Sequence, residues 1–503
     1  MGFDDPQGHS TEFMLNINSL LGLFLKTLHS FWPGPNWYAL FLFGIYFLST
    51  WALIFSLRSQ VRDVRTFLFA LTILSPVFIH YFSHVEFTIF AIWAAQGGVI
   101  LTLSVPSSKG HWKSHLFGGT LIFFSSLIRL QSTFLVALLS LPVLGYKFFT
   151  DPDFHPKNRS IWFLTLSLFI SGGVLFQQAY FRSNSGESDH FQWTGSYDRI
   201  VEYSGGMRSE DLGPILAPLG WDTLDFALLE NYYWQDPKFN LEGLKSLEKA
   251  IPPGLEKKVP HLSEFLGAEF RPIQFSIVFL LFFFVPIPKQ GWYFFNAFWA
   301  FVLMVALFYF LKLTPWVTWP IASFVSLSIF QWVERIPSPG PGLLPNNKVW
   351  AGIAFVLLLM ISAPLLMRDL KDNRIAIERE KAFHSDLQSA GLKKDELYVV
   401  WNEALPFQAI GVFGDYSPVM DIPVYWLCMW QNSSTQQALL KRFNLVNPFR
   451  DMVDRKDVNF ILSERNSTMY NLYLRKRFHI EPTFKRVFDG YLFDIFHVTG
   501  RKI

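Results

Sequence analysis

Ten apolar runs, each long enough to cross the hydrocarbon core of a bilayer or at least half of it, constrain this chain more than any other feature. They are Trp37–Leu57, Thr66–Phe82, Phe87–Val105, Leu116–Ile128, Thr133–Tyr146, Ile161–Tyr180, Pro272–Ile287, Trp292–Leu311, Trp316–Val333 and Val349–Met367. A soluble core does not need such repeated charge-free runs, because water can satisfy its loops. The sequence therefore predicts an α-helical polytopic membrane protein with about ten transmembrane helices. Its 51% hydrophobic and 18% aromatic content agrees, with 55 Phe and 18 Trp. A net charge of +3 gives no electrostatic footprint for nucleic acid. One cysteine, Cys428, excludes an internal disulfide and a multi-cysteine metal site.

Orientation follows from basic residues in short loops. With the loop after the first span on the cytoplasmic side, Arg58, Arg62, Arg65, Lys109, Lys113, Lys147, Lys157, Arg159, Lys289, Arg335 and Lys348 fall inside. Only Lys26, Arg129 and Lys312 fall outside. That asymmetry favours Leu116–Tyr146 as a hairpin with Arg129 at its tip. A single tilted helix there would invert every later segment. Phe13–Trp32 spaces its apolar residues helically among Asn16, Asn18, Lys26 and His29, which suits a helix lying in the membrane interface. Its alternative is a first crossing, which would reverse the topology.

The expected organisation has five parts: residues 1–36 as an outer segment with the interfacial helix, 37–181 with six spans, 182–271 as a large extracytoplasmic loop, 272–367 with four spans, and 368–503 as a C-terminal extracytoplasmic α/β domain. In the last, Glu396–Trp401 and Val458–Leu462 read as buried strands and Gln436–Phe443 as helix. Phe484–Val498 alternates like a hairpin turning at Asp489-Gly490. Asp372–Leu387, rich in charge and helix formers, links the domain to the last span.

This topology gathers polar groups at one outer membrane face. Asp4, Asp5 and His9 precede the interfacial helix, and His80, His84 and Glu86 lie between the second and third spans. Arg129 and Gln131 sit at the hairpin tip, Arg182 just beyond the sixth span, and Lys312 between the eighth and ninth. Carboxylates mixed with Arg and Lys around short loops match an anionic, membrane-tethered substrate. For any single member, interface solvation is the competing explanation. His80 and His84 would share a face of a continuous helix and could bind a divalent metal. His84 follows Phe82-Ser83 at the expected helix end, so the spacing is broken; no metal ligand is assigned, and the cofactor stays open. In the large loop, Trp221, Asp222 and Asp225 are followed by Asn231-Tyr232-Tyr233-Trp234-Gln235-Asp236. Rings interleaved with carboxylates suit a sugar, and suit an amphipathic helix packed on its neighbours equally well.

An acidic pair before an interfacial helix, a Pro-containing second span (Pro76), an Arg-tipped region after the fourth, many short spans and a C-terminal outer α/β domain together resemble the type C glycosyltransferases (GT-C). The strings Gly8-His9, Phe13-Met14, Leu21-Gly22 and Asn36-Trp37-Tyr38 are similar to a group of bacterial membrane proteins of this kind. The resemblance implies transfer of a sugar from a polyprenyl-phosphate carrier to an extracytoplasmic acceptor: a cell-surface glycan, lipid or protein. It implies a bacterial inner-membrane location with a periplasmic C-terminus. It also implies Asp4, Asp5 or, as substitute, Glu86 as general base, with Arg129 holding the carrier phosphate, helped by Arg182 or Lys312. In the family the catalytic acid follows a first transmembrane helix. Met1–Pro6 offers neither the basic region nor the apolar core of a signal peptide. The expectation is thus that Asp4-Asp5 is the equivalent pair, or that an upstream helix carries the true one. A polysaccharide (O-antigen) polymerase or ligase is the alternative function, and a transporter a third. A transporter would call for inverted repeats and charges at the midplane, neither of which the sequence contains.

Overall fold

The computed structural model describes residues 17–32, 35–61, 64–83, 86–105, 111–150, 156–202, 209–251, 290–310, 315–328, 348–401, 404–406, 409–410, 414, 422–428 and 431–503. The protein is mostly helical with a small C-terminal sheet. It divides into two compact units. One comprises Met14–Gln178 and Pro260–Asp372; the other joins Ala179–Val259 to Asn373–Ile503.

The helical unit contains α1 (Ser19–Phe31), α2 (Trp37–Gln60), α3 (Val64–Ser83), α4 (Phe87–Ser104), α5 (Trp112–Ile128), α6 (Leu130–Thr150) and α7 (Pro156–Ser183). Beyond the second unit's first segment come α12 (Gln290–Phe310), α13 (Pro315–Ser328) and the apolar first part of α14 (Lys348–Ala390). Among the described residues, three helical stretches are long and apolar enough to cross a membrane: Trp37–Gln60, Phe87–Ser104 and Leu130–Phe149. Ala70–Ile79, Gly291–Leu307 and Val317–Ser328 are shorter apolar helices. The expected span Pro272–Ile287 lies outside the described residues.

Helix α4 is the centre of this unit, buried along nearly its whole length. Small residues let its neighbours approach backbone to backbone. A Cβ on Gly98 would stand 2.4 Å from the Gly118 carbonyl oxygen, and one on Gly118 would stand 2.5 Å from Thr102 Oγ1. Such crossings supply packing where lipid removes the hydrophobic drive between helices. Polar side chains add specific ties. Gln96 Nε2 donates to the Pro320 carbonyl at 2.6 Å, Tyr81 Oη to Ser323 Oγ at 2.8 Å, and Gln60 Nε2 to the Ser104 carbonyl at 2.9 Å.

Between α5 and α6 only Arg129 leaves helical geometry, at φ −157° and ψ 104°. Ser125 Oγ and Thr133 Oγ1, eight positions apart, are hydrogen-bonded at 2.9 Å. In a continuous helix those positions would be about 12 Å apart along the axis. The chain therefore folds back at Arg129. The expected hairpin is present, and the single tilted helix is excluded. Helix α1 is one-sided: Leu21 and Leu25 are buried, while Phe24, Phe31 and Trp32 are exposed. Its N-cap Asn18 fastens it, with its N–H on the Leu127 carbonyl at 2.8 Å and its side-chain amide on the Gly173 carbonyl at 3.0 Å.

The second unit contains α8 (Ser185–Tyr197), α9 (Ser209–Leu216), α10 (Thr223–Glu230) and α11 (Leu241–Ala250), followed in the tail by strands and two longer helices. The strands are β1 (Leu397–Trp401), β2 (Val424–Leu427), β3 (Val458–Ile461), β4 (Ile480–Asp489) and β5 (Asp494–Lys502), with helices α15 (Ser434–Arg442) and α16 (Glu464–Phe478). The sheet order is β2-β1-β3-β5-β4. The first three strands are parallel, and β5 joins β3 and β4 antiparallel. β1 and β3 are buried along their length, as strands covered on both faces are, and Asn459 of β3 is a buried polar residue among apolar neighbours. Loop and tail, which the sequence presents as separate pieces, share one core. Trp193, Tyr233 and Trp234 from the loop pack in the same cluster as Leu397, Trp401, Phe460 and Tyr470.

Candidate functional site

At the start of α4 the chain enters the helix from extended Glu86 (φ −131°, ψ 129°), whose side chain serves as N-cap. Glu86 Oε2 accepts the Ile89 N–H at 2.9 Å. Its other oxygen, Oε1, accepts from Thr88 Oγ1 at 2.8 Å. A carboxylate here is favoured by the unsatisfied N–H groups and dipole of the helix start. Burial nevertheless pushes the Glu86 carboxyl above its ordinary value, against the lowering effects of Thr88, the Ile89 N–H and the Arg129 charge.

The hairpin brings Arg129 to the same place. Its backbone N–H closes α5 on the Ser125 carbonyl at 2.8 Å, which fixes the residue at the tip. From there Nη1 donates to Thr88 Oγ1 at 2.5 Å, and the guanidinium lies over the Phe87 ring at 5.3 Å. The Thr88 hydroxyl thus stands between a carboxylate and a guanidinium, giving its proton to one and receiving from the other. Tyr38, in the first turn of α2, is within electrostatic reach of Glu86.

In the same helical unit an apolar groove of about 290 Å³ is lined by α4, α5, α6 and α7. Its walls include Val99 and Thr102 of α4, Thr133, Ala137 and Leu141 of α6, and Ile170 of α7. On α6 the lining runs from Leu130, next to Arg129, to Leu144, about 21 Å of helix. The lining thus begins one residue after Arg129 in sequence, while Glu86, Thr88 and Arg129 themselves do not line the groove.

Gln131 is exposed in the first turn of α6, and Arg182 is exposed in the last turn of α7. His80 belongs to α3, but its side chain lies outside the description. Asp4, Asp5, His9, His84 and Lys312 lie outside the described residues. Among the described residues no three His, Cys, Asp or Glu side chains group as a metal site would require.

Trp221, Asp222 and Asp225 are committed to internal contacts. Asp222 and Asp225 form a reciprocal capping box on α10: Asp225 N–H donates to Asp222 Oδ1 at 2.8 Å, and Asp222 N–H donates to Asp225 Oδ2 at 2.7 Å. Asp225 is fully buried, with Lys238 Nζ at 2.5 Å and an ion pair to Arg477 of α16. Trp221 packs edge-on against Phe239, ring centroids 5.2 Å apart. Of the two readings of this segment, packing is the one these contacts support.

Thr88 was not legible as a site residue from sequence. The available signal was its position two residues after Glu86 in the first turn of a span, where a hydroxyl can bond a neighbouring side chain or backbone group.

No protein-family model matches the chain, and no curated protein or solved structure is significantly similar to it.

Proposed function

We propose that this chain is a polytopic membrane glycosyltransferase that moves a sugar from a polyprenyl-phosphate donor to an extracytoplasmic acceptor. The observation that carries the reading is a guanidinium held one hydroxyl away from a half-buried carboxylate, on a hairpin whose second helix lines an apolar groove. In this reading about ten helices cross the bacterial inner membrane, the cluster faces outward, and the C-terminal α/β domain is periplasmic. The membrane character rests on the three long apolar helices; the sidedness rests on the basic residues of the short loops.

The chemistry divides among the residues at the cluster. Arg129 holds the carrier phosphate, since a guanidinium offers five N–H donors in a planar fork. The groove takes the part of the prenyl chain nearest the phosphate. Glu86 accepts the proton of the acceptor hydroxyl as that oxygen bonds to the sugar's anomeric carbon. The bond from that carbon to the phosphate oxygen breaks, and its electron pair leaves on the polyprenyl phosphate beside Arg129. A carboxyl raised by burial is a stronger base than an exposed one, and so is better matched to neutral pH. Asp4 and Asp5 are the alternative bases.

Undecaprenyl phosphate is the probe that tests this. The full-length protein in lipid nanodiscs should bind it, and Arg129→Ala should weaken binding by about tenfold to a hundredfold, the range for one lost charge-assisted hydrogen bond. Equal binding by a folded Arg129→Ala protein would remove the reading.

A further inference from the structure

We propose that Thr88 is the positioning residue of this site: its hydroxyl sets the geometry between Arg129 and Glu86 and links the state of one to the other. The inference rests on the function proposed above for the cluster, and deepens it. Three observations carry it. Thr88 is buried, so its hydroxyl must be bonded internally. It donates to Glu86 Oε1 at 2.8 Å and accepts from Arg129 Nη1 at 2.5 Å, so one oxygen bridges two side chains from different elements. Arg129 lies 41 positions beyond Thr88 in the chain, at the reversal between α5 and α6.

A Thr hydroxyl has one proton to give and two lone pairs to accept with. While Arg129 donates to it, the Thr88 proton is directed at Glu86, and the carboxylate form is favoured. When an anion draws the guanidinium away, that orientation loosens and the positive charge near Glu86 is neutralised. Both changes favour proton uptake by the carboxyl. Anion binding at Arg129 and protonation of Glu86 are therefore linked, and Thr88 transmits part of the linkage. Among the described residues, the charged or titratable groups facing Glu86 are Arg129 at the hairpin tip and Tyr38 of α2.

The experiment compares wild type, Thr88→Val and Thr88→Ser in nanodiscs. Infrared titration follows the protonated-carboxyl band that Glu86→Gln removes, with and without farnesyl phosphate. In wild type the midpoint of that band should rise on adding the probe. Thr88→Val, nearly isosteric but without the hydroxyl, should start at a higher midpoint and show a smaller rise. It should also bind farnesyl phosphate about three- to tenfold more weakly. Thr88→Ser should behave as wild type; if Thr88→Val does not fold, a serine variant with an unchanged midpoint and an alanine variant with a raised one carry the same result. A valine or alanine variant with the wild-type midpoint would overturn the proposal. Failure of Arg129→Ala to weaken binding would instead strike at the proposed function, while the midpoint of the probe-free protein would still report on Thr88.

Discussion

Replacing Asp225 by Asn should loosen the α/β unit. The carboxylate is fully buried and faces Lys238 at 2.5 Å together with Arg477. Both cationic side chains are mostly buried, at 27% exposure each. Asparagine keeps an oxygen for the Asp222 N–H but leaves two cations without their anion. Removing one member of a buried ion pair costs about 3–5 kcal/mol, mainly because the remaining charge stays desolvated. The contacts join α10 to α16, so the loss should appear in both elements. Hydrogen exchange on the full-length protein reads this directly, since amide protection reports local opening free energy. About 3–5 kcal/mol corresponds to exchange faster by roughly two to almost four powers of ten in α10 and α16. Exchanging the whole triad for apolar residues (Asp225→Leu, Lys238→Met, Arg477→Met) should recover much of the loss, because no uncompensated charge remains. Exchange within about threefold of wild type in Asp225→Asn would refute the reasoning, and would return Asp225 to the set of available ligand-binding groups.

Other expectations concern packing and pH. Gly98→Ala places a Cβ 2.4 Å from a backbone oxygen of α5 that cannot rotate away; the crossing must open, at about 1–3 kcal/mol, and a thermal midpoint in detergent equal to wild type would contradict the close approach. His190 in α8 is buried, and burial lowers its pKa from 6.5 to about 4. The unfolded chain therefore takes a proton below about pH 6.5 that the folded one refuses until about pH 4, so stability falls on acidification across that window, by about 3 kcal/mol at its end. His190→Gln should flatten this acid loss in chemical denaturation of the unit followed between pH 7 and 4.5; an unchanged slope would exclude His190 as its source. The Asp451 carboxyl is held below the ordinary aspartate range: burial works upward, but the Asn447 and Val446 N–H groups and Arg450 outweigh it. Its contribution is present at neutral pH and disappears as pH falls through the depressed value, so Asp451→Asn should destabilise at pH 7 and converge with wild type in strong acid.

Local patterns carried the secondary structure well. The apolar-rich segments Leu397–Trp401 and Val458–Ile461 are strands whose two faces are both covered, and the alternation in Phe484–Val498 marks the β4–β5 hairpin around Gly490. Strand β2, Val424–Leu427, was not singled out by the sequence. The union of loop and tail also escaped. It depends on contacts such as Tyr473 Oη to Asp236 at 2.9 Å, 237 positions apart, which no local pattern encodes. The same holds at the site. Arg129 could be placed at a tip from charge asymmetry, but the hydroxyl it meets lies on another helix. Trp221, Asp222 and Asp225 show the converse: an aromatic and acidic string looks alike in sequence whether it binds a sugar or caps a helix.

A reversal between two apolar helices does not by itself require arginine. At Arg129 the turn needs one residue in extended geometry whose N–H closes α5, and many residue types could meet that need. Capping α4 does not require glutamate either, since Ser, Thr, Asp and Asn are the usual choices. Two charged groups at the rim of an apolar bundle carry a desolvation cost that neutral residues would avoid. The buried threonine joins them in a defined orientation, in a helical unit that also holds a groove with an uncharged lining. Fold maintenance accounts for the turn and the cap, but not for the choice of opposite charges around one hydroxyl. An anionic headgroup with an apolar tail would give each part a use, with the charge matched at Arg129, the proton held at Glu86 and the tail laid along α6.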